Sequence, residues 1–412
     1  MRQQTDKRTR AGIVARLWAA FGIFGVFWGG WGALLPDVQR QVSANDATLG
    51  RALLFIALGA IGGMLLAGKV ADRFGSRTLL PGALAFAVTI PPLILPSSIP
   101  TFLIALTVMG AASGAYDVFI NGSASVYETI YDAKIMGGMH ALFSAGVLVS
   151  SPLVGVAREM GAGPAEVLPV LAGLVVIVGL SLPGVDLPTS THETQPRVRM
   201  TPQLMLLGTL CALAFLIEDG LLSWSAIHLE RTLGGSAIVG GLGPGVLAGS
   251  MVIGRALTQT VSRRFCERRL IGAAGVFGTA GATVFALTSS ALVGLAGIAL
   301  TGLAISVVAP LIFGVAGRVG GPGRQASSIA RVSTIAYFGF VVGPALVGGV
   351  AGAATLRVGL LVMAVAALLL AAGSRFMPES RADPAGSKSS ETQTRHQRGE
   401  PVADRARNGG VT

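Results

Sequence analysis

The sequence predicts an all-α polytopic membrane protein with twelve transmembrane helices in two six-helix halves and both termini on the cytoplasmic side. Three observations predict it. The chain is 52% hydrophobic and only 12% charged, about half the charge of an ordinary soluble protein. Its apolar residues gather into twelve runs, each near the roughly 20 residues that cross a hydrocarbon core. Its basic residues sort to one side of those runs. The same composition excludes a soluble enzyme, a disordered chain and a disulfide-stapled secreted domain. Fifty-eight glycines in 412 residues suit helices that pack closely through small side chains. Cys211, in an apolar run, and Cys266, in a basic one, offer neither a disulfide framework nor a metal cluster.

The expected spans lie near 17–36, 48–69, 79–97, 101–123, 135–157, 165–184, 203–227, 236–260, 270–289, 291–314, 326–351 and 355–376. The first follows a basic segment and lacks a small-residue cleavage site, so it reads as a retained helix. With the N-terminus inside, all of the 31 Lys and Arg but Arg40, Arg51, Arg158, Arg231 and Arg357 fall on the cytoplasmic side. The reverse topology inverts this bias. The net charge of +11 is then a topology signal and an attraction to anionic lipid, not a nucleic-acid surface.

Domain organisation follows from the same reading. Residues 1–15 form a cytoplasmic segment, 16–184 the first bundle, 185–202 a Pro/Thr-rich cytoplasmic linker and 203–377 the second bundle. Residues 378–412, rich in Pro, Gly, Ser and charge, form a tail expected to be disordered. Short matches recur at a separation of about 192 residues, the signature of an internal repeat. Val70–Arg77 pairs with Val261–Arg268, Ser151-Pro152 with Gly343-Pro344, and Trp31-Gly32-Ala33 with Trp224-Ser225-Ala226.

Gly68-Lys69-Val70-Ala71-Asp72-Arg73-Phe74-Gly75-Ser76-Arg77 joins the second and third spans on the inner side. Gly75 can take φ > 0 in a short turn. Asp72 can favour a helix N-terminus, and Arg73 and Arg77 serve the inside-positive bias. This segment closely resembles the signature loop of the major facilitator superfamily, Gly-x-Leu-Ala-Asp-Arg-x-Gly-Arg-Arg/Lys. The resemblance implies the fold of that superfamily and a lock between the halves made by Gly68, Asp72, Arg73, Gly75 and Arg77, with Arg331 close by. The second copy departs from it, with Arg263 in place of the Asp and Cys266 in place of the Gly. Gly63-x4-Gly68-Lys69 and Gly243-x-Gly245-x-x-Ala248 mimic nucleotide loops but lack the strand–turn–helix setting those need.

The candidate site residues are polar groups inside spans. Ser113, Asp117, Asn121 and Ser125 recur every four residues as one slowly drifting helical stripe. An intramembrane acid is costly and faces a cavity or a partner. Asp117 and Asn121 are therefore assigned to proton coupling or substrate binding, against a structural hydrogen bond to a neighbour. Glu218 and Asp219 are the adjacent acids of the seventh span; an interfacial position beside water is the alternative. His140 is a candidate relay or simply a hydrogen-bonded histidine. Arg255 and Arg331, near inner helix ends, read mainly as snorkelling side chains. Trp28, Trp31, Ser113 and Trp224 are cavity candidates, with Phe21 and Phe24 on the same face of the first span. For the aromatics an interfacial belt or plain packing is the alternative.

Pro36-Asp37, Asp117-x3-Asn121, His140 with Phe143-Ser144, and Glu218-x5-Trp224 resemble the fucose-permease-like branch of bacterial inner-membrane transporters. Fucose permeases use an acid in the first span too, and here no charge lies between Arg16 and Asp37. The expected function is secondary active transport of a small molecule by alternating access, coupled to protons through Asp117 and then Glu218, with export favoured. Uptake of a sugar or other metabolite, and a non-transporting membrane sensor on the same fold, are the alternatives. The expected partners are a small-molecule substrate, protons and the bilayer. No cofactor, metal or nucleic acid is expected, and the chain is expected to be a monomer.

Overall fold

The computed structural model describes residues 2–96, 98–187, 199–321 and 324–377. Among the described residues every regular element is helical. The first half comprises α1 (Arg2–Gln41), α2 (Asp46–Phe74), α3 (Leu79–Thr89), α4 (Ile99–Tyr131), α5 (Met136–Glu159) and α6 (Pro164–Gly179). The second comprises α7 (Pro202–Ile227), α8 (Ala237–Val261), α9 (Glu267–Leu287), α10 (Ala291–Ile305), α11 (Val308–Gly320), α12 (Gln325–Ala353) and α13 (Leu356–Gly373). Most of the expected linker 185–202 and the whole expected tail 378–412 lie outside the described residues.

Among the described residues eleven helical stretches are long and apolar enough to cross a membrane, and one of them, Asp46–Ile94, has 49 residues. At about 1.5 Å per residue such a stretch is more than twice the thickness of a hydrocarbon core. It turns at Gly75 (φ 55), between α2 and α3, and so contains two crossings. The total is twelve, with α10 and α11 sharing one.

Two expected spans are shaped differently from their hydropathy, both because of proline. The third, expected over 79–97, stops as an α-helix at Thr89; Pro91 and Pro92 then hold a 3-10 turn over Pro91–Ile94. The tenth, expected over 291–314, runs on to Gly320 but breaks between Ile305 and Val308. Pro310 cannot donate to the carbonyl four residues back, at Ser306, where the break falls. Helix starts follow side-chain chemistry. Asn45 accepts from the Thr48 amide at 2.8 Å and Thr201 from the Leu204 amide at 3.2 Å, while Pro164 and Pro202 open α6 and α7.

Packing is set by small residues. A Cβ on Gly59 or Gly63 of α2 would lie 2.1 or 2.0 Å from the carbonyl oxygens of Thr107 and Ala111 on α4. Only glycine permits that approach. Helix α1 packs likewise on α5, and α7 on α12. The arrangement repeats. The pairs α1·α5, α2·α4, α1·α6, α3·α6 and α3·α4 have counterparts six crossings later in α7·α12, α8·α10, α7·α13, α9·α13 and α9·α10. Between the halves, α5 packs on α8 and α2 on α12, again a matched pair. One end of the bundle, here the basic end, carries the Gly75 turn with the close of α8 and the starts of α5, α7 and α12. The far end gathers the closes of α1, α5, α7 and α12 with the starts of α2 and α8.

Candidate functional site

Four helices bring polar side chains to the middle of the bundle. On α4, the Asn121 side-chain amide donates to the Asp117 carboxylate and to the Asp117 backbone carbonyl, both at 3.0 Å. Both residues are half-buried, Ser113 one turn earlier is buried, and Ser125 one turn later is exposed. The stripe therefore enters protein at one end and leaves it at the other. On α7, Glu218 and Asp219 are half-buried. Arg255 of α8 reaches Glu218 at 3.8 Å and donates to the Ser144 hydroxyl of α5 at 3.2 Å. It thus touches both halves at mid-bundle and does not snorkel. His140, one turn from Ser144, is exposed, with its ring edge-on to Phe21 at 4.9 Å.

Aromatic rings pack near these groups, with Phe21 and Phe24 buried and Trp28, Phe143 and Phe215 half-buried. Phe21, Phe24 and Phe143 stand 5.4–6.0 Å apart, and Trp28 is half-buried against Phe24 at 6.2 Å. In the second half Phe215, Tyr337 and Phe340 form a cluster, with Phe215 stacked on Phe340 at 4.3 Å. Trp31 and Trp224 occupy packed positions. Trp31 is stacked on Phe27, and Trp224 is wholly buried and donates its indole N–H to the Pro344 carbonyl at 3.0 Å.

The far end is shut by a buried charge network that spans both halves. All five guanidinium N–H groups of Arg158, at the close of α5, are used. They donate to both carboxylate oxygens of Asp37 (2.7 and 2.8 Å), both of Glu230 (2.6 and 3.0 Å) and the Ala33 carbonyl (2.8 Å). Arg40 also pairs with Asp37. A second bridge joins Arg231 to Asp46 at 2.6 and 2.7 Å, with Gln39 donating to the same carboxylate at 2.9 Å. Glu230 and Arg231 lie on a π-helical turn, His228–Thr232, that closes α7. Such turns re-aim side chains, and here consecutive residues engage two different helices of the other half. Gly155 meets Gly241, and Gly50 meets Gly348, so closely that an added Cβ would lie 2.6–3.1 Å from the opposing Cα. The Ser151 hydroxyl donates to the Gly241 carbonyl at 2.6 Å.

At the basic end, Lys69, Asp72, Arg73, Phe74 and Arg77 are exposed, and Arg73 lies over the Phe74 ring. Gly68 and Arg331 are half-buried there. The Ser76 hydroxyl donates to the Leu187 carbonyl at 3.3 Å and accepts from the Leu187 amide at 3.1 Å, fastening the turn to the segment that leaves the first half. Bonds between the halves are thus concentrated at the far end, while Lys69, Asp72, Arg73 and Arg77 at the basic end are exposed.

In the sequence Arg158 reads as an outer-side charge and Arg255 as a snorkelling side chain. Arg158, Asp37 and Glu230 each sit at a helix end, where charge is ordinary, and only the fold brings them together. Arg255 carried a readable signal: a permanent cation and an acid, Glu218, both inside expected spans.

Comparison with known proteins agrees with this architecture. The family model described as Major Facilitator Superfamily matches residues 17–293. An uncharacterised MFS-type transporter of Yersinia pestis is 30% identical over 361 residues, covering 86% of this chain and 93% of its own. Membrane protein MosC of Rhizobium meliloti is 30% identical over 364 residues, covering 88% and 89%. Among solved structures, a bacterial homologue of the human lysosomal transporter Spinster, inward-facing and unoccupied, superposes with a TM-score of 0.72 at 15% identity over 89% of this chain and 96% of that one. The nucleoside transporter NupG superposes at 0.71 with 13% identity over 88% and 98%.

Proposed function

Because the chain belongs to the major facilitator superfamily, we propose that it is a proton-coupled secondary transporter of a small molecule, exporting its substrate by alternating access. It is a multi-pass transporter of the bacterial cytoplasmic membrane and not an enzyme. With the basic end taken as cytoplasmic, the bonds between the halves at the far end support an inward-facing reading. The observation that carries the reading is the placement of Asp117 and Glu218. Two half-buried acids lie within the spans, Asp117 on α4 of the first half and Glu218 on α7 of the second, and the far end between the halves is bridged through Arg158. Each can carry a proton between the two sides when the halves rock. Asp117 is the first carrier, oriented by Asn121; Glu218, held loosely by Arg255, is the second. Asp219 and His140 complete the titratable lining. The Gly68–Arg77 turn, with Arg331, is the lock that forms at the basic end when the site faces outward.

Export is favoured because the half-buried rings of Trp28, Phe143 and Phe215 stand among few charges and suit an apolar or amphiphilic body. The test is proton-gradient-driven flux in everted vesicles, with substrates drawn from a toxin-sensitivity screen of a deletion strain. Asp117→Asn is expected to abolish accumulation while leaving exchange at equal concentrations. Undiminished accumulation removes Asp117 from the mechanism. Flux only in the uptake direction reverses the assignment of export, and absence of flux favours a sensor.

A further inference from the structure

We propose that Arg255 is the substrate-recognition residue of this cavity, and that the cavity takes a small organic acid with an aromatic body, whose carboxylate displaces Glu218 from the guanidinium. This rests on the transporter reading above and adds the substrate class. The argument begins with which charges can be discharged. Asp117, Glu218 and Asp219 can each become neutral by taking a proton, whereas an arginine in a protein cannot lose one. Arg255 is therefore the permanent ion of the site, in a place where an unmatched ion is costly. Its partners are few. Among the described residues it donates one hydrogen bond, to Ser144, and faces Glu218 at 3.8 Å, beyond hydrogen-bonding distance. A guanidinium has five N–H donors in a planar fork that matches a carboxylate in bidentate fashion. Most of that fork is unfilled, and 36% of the side chain is exposed.

The surroundings define the rest of the ligand. His140 lies one turn from Ser144, whose hydroxyl Arg255 meets. Phe21 stands edge-on to His140, and Phe143 lies 5.4 Å from Phe21, one residue before Ser144 in the chain. A carboxylate on Arg255 therefore places a ring bonded to it against α1 and α5. Because Arg255 bridges α8 and α5, a ligand held there touches both halves, as a molecule that senses rocking must.

The experiment uses the full-length protein in detergent near neutral pH, without any gradient, and three probes of one shape: benzoate, benzylamine and benzyl alcohol. The readout is ligand-induced stabilisation in thermal unfolding. Benzoate is expected to stabilise the wild type and the other two not to. Arg255→Gln is expected to weaken benzoate binding roughly ten- to a hundred-fold, the worth of charge-assisted hydrogen bonds. Glu218→Gln is expected to strengthen it, because the competing carboxylate is gone. Opposite signs from two neighbouring substitutions cannot arise from damaged folding, and Arg255→Lys, keeping the charge but not the fork, should fall between. A response to benzylamine without one to benzoate, a benzoate response that survives Arg255→Gln, or no response to any probe overturns the assignment. Binding is read without transport, so loss of the proton-coupling reading in vesicles leaves this result to stand or fall alone.

Discussion

Of the arginines that cross between the halves, Arg158 and Arg255 are built for opposite tasks. Arg158 at the far end has a side chain 2% exposed, with every donor matched by an acceptor at 2.6–3.0 Å. Arg255 at mid-bundle is 36% exposed, with one hydrogen bond at 3.2 Å and a loose ion pair at 3.8 Å. The first is a latch. Its Asp37 and Ala33 partners belong to the first half and only Glu230 to the second, so opening the far end breaks two of its five bonds. The second is a receptor, and its unfilled fork is the space a ligand needs. Charge inside a transporter is therefore not one signal. Full satisfaction marks a conformational lock, and partial satisfaction marks a binding position.

The largest expected effect comes from breaking the latch. Arg158→Ala strands the Glu230 carboxylate, 15% exposed, and leaves Asp37 with Arg40 alone. Removing one partner of a buried pair costs about 3–5 kcal/mol, borne here by the far-end-closed state. The equilibrium between the two facings is expected to shift toward far-end-open by roughly a hundredfold or more. Distances between spin labels on the far ends of α1 and α7 would read it. Arg158→Lys should shift it less, since an ammonium keeps the charge and loses the fork. An unchanged distance distribution would reduce Arg158 to a structural ion.

A smaller effect tests whether the latch acts alone. Gly241→Leu introduces a Cβ that would lie 2.7 Å from the Gly155 Cα and from the Ser151 carbonyl, both on α5. Backbone cannot swing aside as a side chain can, and overpacking of this kind costs about 1–3 kcal/mol. The far end should again open while the charges of Arg158, Asp37 and Glu230 stay in place. If the labels report closure as in the wild type, the glycine crossings are not part of the seal.

Much of this was legible in the sequence. Hydropathy alone located the twelve crossings, and the short Gly68–Arg77 motif located the turn in which Gly75 takes φ 55. The spans that differ, at Pro91-Pro92 and before Pro310, differ because hydropathy is blind to a missing N–H. Asp117 and Asn121 could be placed on one face because they are four residues apart on one helix. The latch could not be read, because Arg158, Asp37 and Glu230 come from three helices and each resembles an ordinary interfacial charge. Trp31 and Trp224 look like cavity aromatics along their own helices, and only neighbours from other helices show that they are packed. Local periodicity fixes a residue's face, and tertiary contact fixes what that face meets.

The smallest expected effect separates a buried bridge from an exposed one at the same end. Arg231 pairs with Asp46 in good bidentate geometry, at 2.6 and 2.7 Å, yet its side chain is 47% exposed. Exposed pairs of this kind contribute about 0–1 kcal/mol and weaken in salt. Asp46 also keeps the Gln39 amide when Arg231 is removed. Arg231→Ala is therefore expected to open the far end at most a few-fold, and its difference from the wild type should shrink as ionic strength rises. The Arg158→Ala shift should persist under the same titration, because salt does not reach a side chain 2% exposed. If instead Arg231→Ala matches Arg158→Ala in size and in salt response, the far end is held by its net charge pattern and not by one buried arginine, and the contrast with Arg255 loses its physical basis.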